Sequence, residues 1–205
     1  MSGALLPRDI ATWCAARPYL DVRSNDEHTL ISYRLARALL RLRPEVDEAT
    51  VLTAILFHDV GWKAIPADKL VDSVGPKPKY PELQRVHEIE GVAIARPHLQ
   101  ALAVPGVDVE TVLAIIDGHD TRKQAISPED EIVKEADKLW RFTSHGVKTI
   151  CGWFGTPPKE TVAMLEDFVL PQMLTKDGRA MAEALVAQGQ AMAWLDDMMH
   201  VEAMR

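Results

Sequence analysis

The feature that most constrains this chain is the apolar stretch Val51, Leu52, Ile55, Leu56 and Phe57. Asp47-Glu-Ala-Thr supplies a helix start before it, and its apolar side chains make the helix one that must lie deep in a core. The stretch then runs straight into His58-Asp59-Val60-Gly61-Trp62, with Gly61 as a plausible stop. Burying ionisable groups is costly unless they are paired or hold a metal. Any fold of this chain must therefore explain an imidazole and a carboxylate carried to the end of a core helix. The plain explanation is an aspartate capping the next turn and a histidine bonded to backbone. The alternative is a metal site.

The rest of the chain is also cut into helical pieces by Pro, Gly and capping signals. Residues 8–17 read as a short amphipathic segment ending at Pro18. A helix follows from about His28 to Leu42, capped by Asn25 or Asp26. Residues 63–81 hold four prolines (Pro66, Pro76, Pro78 and Pro81) and read as a long loop. Its two ends flank candidate site residues, so it is placed to act as a lid. Helices are expected from Glu82 to about Ala95, before Pro97, and from Val109 to about Gly118. Ser127 as N-cap and Pro128 at the first helical position open another, running to about Phe142. After a break over residues 152–158, two last helices span about 159–175 and 177–199. No strand pattern or repeat is present. With 205 residues, few aromatics (6%) and abundant Ala and Leu, the expectation is all-α: one domain over 1–205, a bundle of seven to nine helices.

Charge and cysteine usage narrow the function. Thirty acids against 23 bases give a net charge of −7, which disfavours binding nucleic acid through its backbone. Two cysteines, Cys14 and Cys151, do not make a disulfide framework and fit a reducing compartment. The N-terminus has no signal-peptide pattern, and no run approaches the length of a membrane span, so a cytoplasmic protein is expected. There is no phosphate-binding Gly-rich loop, dinucleotide fingerprint, nucleophile elbow or zinc-finger pairing.

The histidines and aspartates carry the chemistry. His28 starts one helix, His58-Asp59 ends the next, His87 lies within another, His119 ends a fourth, and Asp137 sits in a fifth among apolar neighbours. Imidazole and carboxylate together suit divalent transition metals, and helix bundles build such sites from facing helices. At these residues the chain resembles the HD-domain superfamily of metal-dependent phosphohydrolases. "AILFHDVGW" resembles the family's apolar run, His-Asp doublet and Gly, and "EIVKEADKLWRF" resembles its later Ala-Asp-Lys-Leu segment. The resemblance covers about residues 25–145. It implies a two-metal, six-ligand site of His28, His58, Asp59, His87, His119 and Asp137, with Asp59 bridging. Asp120 stands where the Gly-Tyr-Pro branch, which acts on cyclic dinucleotides, has a second His. That motif is absent too, which excludes the branch.

The resemblance implies two divalent ions of Fe, Mn, Co or Zn, and hydrolysis of a nucleotide or other small phosphorylated metabolite by a metal-bound hydroxide. Asp59 and Lys138 are the catalytic candidates. Lys63, Lys77, Lys79, Arg122, Lys138 and Arg141 are candidates for binding a small anionic substrate, as a basic mouth on an acidic protein. Diiron oxygenases of the superfamily, which cleave C–C or C–P bonds of small polar metabolites, use the same ligand order and form the alternative. An HD-type hydratase and a degenerate ligand-sensing domain stand behind them. His145 is expected to be structural, and His98 and His200 exposed.

Overall fold

A computed structural model describes the backbone of residues 5–203 and the side chains of residues 5–199. Residues 1–4, at the start of the stretch read for a signal peptide, and the side chain of His200 lie outside the described residues. Those residues form nine α-helices joined by short 3-10 turns, with no strand, so the fold is all-α. No described helix is long and apolar enough to cross a membrane. The chain divides into two compact units, one up to Lys134 and one from Glu135 onward.

In the first unit, α1 (Ile10–Ala16), α2 (Asn25–Leu40), α3 (Glu48–Phe57), α4 (Glu82–Leu102) and α5 (Val109–Ile116) surround the core. Helix α3 is its centre. Asp47 caps it by accepting from the amides of Ala49 and Thr50, and every residue from Thr50 to Phe57 is buried. Each apolar side chain buried this way contributes about 1.5–3 kcal/mol relative to exposure. Helices α1, α2 and α5 pack against it.

Four details differ from the sequence expectation. Helix α2 begins after Ser24, which adopts a left-handed conformation and makes no side-chain cap. Asn25 and Asp26 are instead inside the first turn. Gly61 does not act as a helix stop, because α3 ends at Phe57. Gly61 allows a close approach: a Cβ there would overlap the His87 carbonyl oxygen and the Gly91 amide of α4. Helix α4 passes through Pro97. The carbonyl left without its donor is that of Ala93, which is exposed, so water can replace the lost bond while Ala95 and Leu99 stay buried. The stretch after the doublet is not an open strap. It forms 3-10 turns at Val60–Ala64, Ala67–Lys69 and Val71–Ser73 and a small core of Trp62, Ile65 and Leu70, with Val22, Val74 and Leu83 packed on it. The Asp72 carbonyl accepts from the amides of Lys79 (2.7 Å) and Tyr80 (3.2 Å).

Helix α6 (Pro128–Phe142) starts as read, with Ser127 Oγ accepting from the Asp130 amide. The second unit continues with α7 (Ser144–Phe154), α8 (Pro158–Phe168) and α9 (Lys176–Ala203). Helix α7 was not expected as a separate element. Thr143 caps it, and Gly146 makes the corner possible, because a Cβ there would overlap the Trp140 carbonyl. Helix α8 stops at Phe168 rather than 175, and a 3-10 turn at Leu170–Gln172 carries Pro171. The fully buried Glu135 accepts from Leu174 N (3.0 Å), Thr175 N (2.6 Å) and Thr175 Oγ1 (2.8 Å), fixing the entry to α9.

Candidate metal centre

Five of the six predicted ligands meet inside the first unit. His28 lies in the first turn of α2, His58 and Asp59 follow the last residue of α3, His87 is on α4, and His119 is three residues past the end of α5. All five are at most 5% exposed. Asp59 is their hub, and its two oxygens face different partners. Oδ2 lies 3.3 Å from His28 Nε2 and 3.7 Å from His58 Nε2, and those two nitrogens are 3.0 Å apart. Oδ1 lies 3.5 Å from His119 Nε2 and 3.9 Å from His87 Nε2, which are 3.3 Å apart. The carboxylate thus separates two pairs of imidazoles.

Backbone sets the tautomer of one histidine in each pair. His58 Nδ1 is 2.7 Å from the Ile55 carbonyl and His119 Nδ1 is 2.9 Å from the Ile116 carbonyl. A carbonyl oxygen can only accept, so each Nδ1 carries a proton and Nε2 is the nitrogen turned to the cluster. Both histidines close the C-terminal turn of an apolar helix, where the last carbonyls need donors. Hence the plain backbone-bonded reading of His58 and the metal reading are compatible: one nitrogen serves each.

Electrostatics agree with this arrangement. Burial opposes ionisation of Asp59, but the surrounding His58, His119 and His28 outweigh it and hold the carboxyl well below its usual range. Burial, reinforced by His119, lowers the pKa of His87 to about 4, so it is neutral at physiological pH and able to ligate. A carboxylate ringed by buried imidazoles matches the donor chemistry of a divalent metal.

Among the supporting groups, Glu88 and Lys134 were not foreseen in the sequence. Trp62 Nε1 donates to Asp59 Oδ1 at 3.0 Å while its ring stacks on His87, with centroids 4.0 Å apart and 13° between planes. Arg23 lies over the same indole at 4.2 Å. Glu88, fully buried, accepts from the amides of Asp120 (2.9 Å) and Thr121 (2.8 Å) and from Thr121 Oγ1 (2.6 Å), and pairs with Arg85. Lys134 is 2% exposed, and its ammonium donates to the carbonyls of Gly118 (2.6 Å), His119 (2.9 Å) and Arg122 (2.8 Å). Together Glu88 and Lys134 hold the segment that carries His119. A buried charge is the least expected fate of Glu or Lys, and only the Asp130/Lys134 spacing of four hinted at it.

The HD domain family model matches residues 25–141, more than half of the chain. The chain belongs to the HD domain family. No curated protein and no solved structure matches it. HD domains bind divalent metals, and His58, Asp59 and His119, like His87, His119 and Asp120, each bring one ligand atom within 4.8 Å of the others. The matched span of this HD domain includes Asp137, which is 3% exposed on α6. Within its own unit Asp137 receives Arg141 Nη1 at 3.0 Å on both its carbonyl and its Oδ2.

The expected substrate-binding residues have mixed placements. Arg122 is engaged with the end of α5, donating to the carbonyls of Ala114 and Asp117 and to Asp130. Lys63 pairs with Asp21 at 2.6 Å. Lys79 is exposed, 3.7 Å from Asp72 and over the Tyr80 ring. Lys77 is exposed, and Lys138 is half-buried one residue past Asp137. His98 is not exposed as expected: it is half-buried, 3.1 Å from the Tyr19 hydroxyl and stacked near Phe57. His145 accepts from Trp140 Nε1 at 3.1 Å, a structural role.

Proposed function

We propose that this HD domain is a dinuclear metal-dependent phosphohydrolase acting on a nucleotide or other small phosphorylated metabolite. The observation that carries the reading is the division of Asp59, whose two oxygens face two separate histidine pairs. His28, His58 and Asp59 Oδ2 would hold one ion, joined by Asp137 as the family order implies, and His87, His119 and Asp59 Oδ1 the other. Bound there, two divalent ions supply a water of lowered pKa and polarise a phosphoryl oxygen. Asp59, kept ionised, would balance part of their charge. The proton-bearing Nδ1 atoms of His58 and His119 keep both rings oriented. Trp62 and the buried helix ends exclude bulk water from one side of the centre. Lys138 would neutralise charge that develops on the phosphoryl group. Of the remaining cations, the exposed Lys77 is best suited to meet an anion, with Lys63, Lys79 and Arg141 drawn from their carboxylates only when substrate competes. The two free cysteines fit a reducing compartment, and a cytoplasmic location is part of this proposal.

The test is reconstitution of metal-stripped protein with Mn2+ or Co2+, followed by assay on nitrophenyl phosphate esters and a panel of nucleotides. Wild type should turn over with metal, and Asp59→Asn should lose at least a thousandfold in kcat/KM together with most of the bound metal. Asp59→Asn protein with full metal content would sink the assignment of the centre. Oxygen consumption by the diferrous protein, with no phosphate released by any metal form, would overturn the hydrolase reading in favour of the oxygenase one.

A further inference from the structure

Asp120 is a carboxylate beside the centre that the six-ligand order leaves unassigned. Its Oδ2 lies 3.8 Å from His87 Nε2, and with His119 and His87 it forms a compact donor group. We propose that Asp120 is a seventh metal ligand, belonging to the ion held by His87, His119 and Asp59 Oδ1. The inference rests on the dinuclear reading above and deepens it.

Three observations support it. The first is spacing. With metal–ligand bonds near 2.1 Å, two ligands at right angles lie about 3.0 Å apart and two opposite ones about 4.2 Å apart. The His87–His119 separation of 3.3 Å, the His119–Asp59 separation of 3.5 Å, the His87–Asp120 separation of 3.8 Å and the His87–Asp59 separation of 3.9 Å all fall between these limits. The second is anchoring. The Asp120 amide donates to Glu88 Oε1 at 2.9 Å, and Glu88 is the residue next to His87 on α4. The carboxylate is therefore presented from a main chain pinned to the helix that carries its proposed co-ligand. The third is charge. Asp120 is the nearest carboxylate to His87 Nε2, and its side chain is only 20% exposed. A largely buried carboxylate 3.8 Å from a buried imidazole nitrogen is placed so that a divalent ion between them would offset its charge.

The consequence is a change in the character of the second site. With three ligands it would be two imidazoles and one shared carboxylate. With Asp120 it holds two imidazoles, the shared Asp59 and a carboxylate of its own, which adds negative charge at that ion and moves the donor set toward oxygen. Such a set favours Mn2+ and Fe2+ over Zn2+ and leaves one fewer open position for substrate.

The experiment is titration of metal-stripped full-length protein with Mn2+, followed by calorimetry and by electron paramagnetic resonance, in wild type and Asp120→Asn. Asn keeps the size and an oxygen able to accept a hydrogen bond from His87, but lacks the charge, so a purely hydrogen-bonding role survives it. The expected result is two ions in wild type. In the variant the weaker dissociation constant should rise at least tenfold and the spin-coupled signal should fade, with the tighter constant changed less than threefold and the melting temperature retained. A rise of less than tenfold overturns the role of Asp120. Wild type that binds a single Mn2+ overturns the dinuclear reading itself and is distinguished by being seen before any variant is made. Asp120→Glu, which restores the charge one methylene further out, should recover part of the second-ion affinity. If it behaves as Asn does, charge is not what Asp120 supplies and the proposal fails.

Discussion

Lys134→Met tests whether the segment bearing His119 is held by one buried ammonium. The wild-type Nζ makes three charged hydrogen bonds, to the carbonyls of Gly118, His119 and Arg122, at 2.6–2.9 Å. A hydrogen bond to a charged group contributes about 1.5–3 kcal/mol net, which sums to more than the effect expected here, because such terms are not additive and water can reach the Arg122 end. Removing one side of a buried charged contact typically costs about 3–5 kcal/mol, and that is the expected loss. Asp130 does not become an orphan in the variant. Arg122 still pairs with its Oδ2 at 2.9 Å, while the buried Oδ1 loses the ammonium 3.9 Å away, so the loss comes from the three carbonyls with a smaller share from Oδ1. For a chain of this size each kcal/mol shifts the melting temperature by about 2–4 °C, giving a fall of roughly 6–20 °C. Thermal unfolding followed by circular dichroism reads the shift. Manganese titration reads the second consequence, a weakened second ion with the first retained, because the His119 carbonyl loses its anchor while His58 does not. A loss below about 1 kcal/mol would refute the reasoning, since it would mean that water replaces the ammonium without penalty.

Two further perturbations separate other parts of the argument. Trp62→Phe keeps an aromatic face against His87 but removes the donor to Asp59 Oδ1. It should cost about 1–3 kcal/mol in urea unfolding of the metal-free protein, and an unchanged midpoint would show that the indole N–H is idle. Tyr33, buried and donating to Asp9 Oδ2 at 2.6 Å, has its pKa raised to about 12, first by burial and then by Asp9. The folded state then keeps a proton that the unfolded chain loses near pH 10, so stability is full below pH 10 and falls between pH 10 and about 12, by at most about 3 kcal/mol. Denaturation midpoints of wild type should drop over that interval relative to Tyr33→Phe, and parallel curves for the two proteins would refute the linkage.

The ligand residues were legible because each is marked locally. His58-Asp59 ends a helix with no polar face, His119 follows another apolar helix, and Asp137 has apolar neighbours at 133, 136, 139 and 140. Helix starts at Asp47 and Ser127 were legible for the same reason, since a cap is a short-range signal. What could not be read depends on distant partners. Helix α4 continues through Pro97 because its opposite side is buried against the unit, and Gly61 is required by α4, thirty residues away in sequence, rather than by its own turn. The stretch 63–81 looked like a lid by length and proline content. It is folded because Trp62, Ile65 and Leu70 find Val22 and Leu83, which belong to other parts of the chain.

The support around His87 and His119 shows how a local pair can carry long-range information. Each histidine is followed directly by an acid, Glu88 after the first and Asp120 after the second. On α4, His87 and Glu88 differ by about 100° around the axis, so one is turned to the centre and the other to the loop beyond α5. Glu88 receives the amides of Asp120 and Thr121, and the Asp120 carboxylate in turn faces His87. The two His-acid pairs therefore interlock: the acid of the first sets the backbone of the second, and the acid of the second sits beside the imidazole of the first. Either acid, read alone, is an ordinary surface charge. Their common position, one residue after a histidine of an ordered metal-binding set, ties the geometry of the centre to the register of α4 against the loop that follows α5.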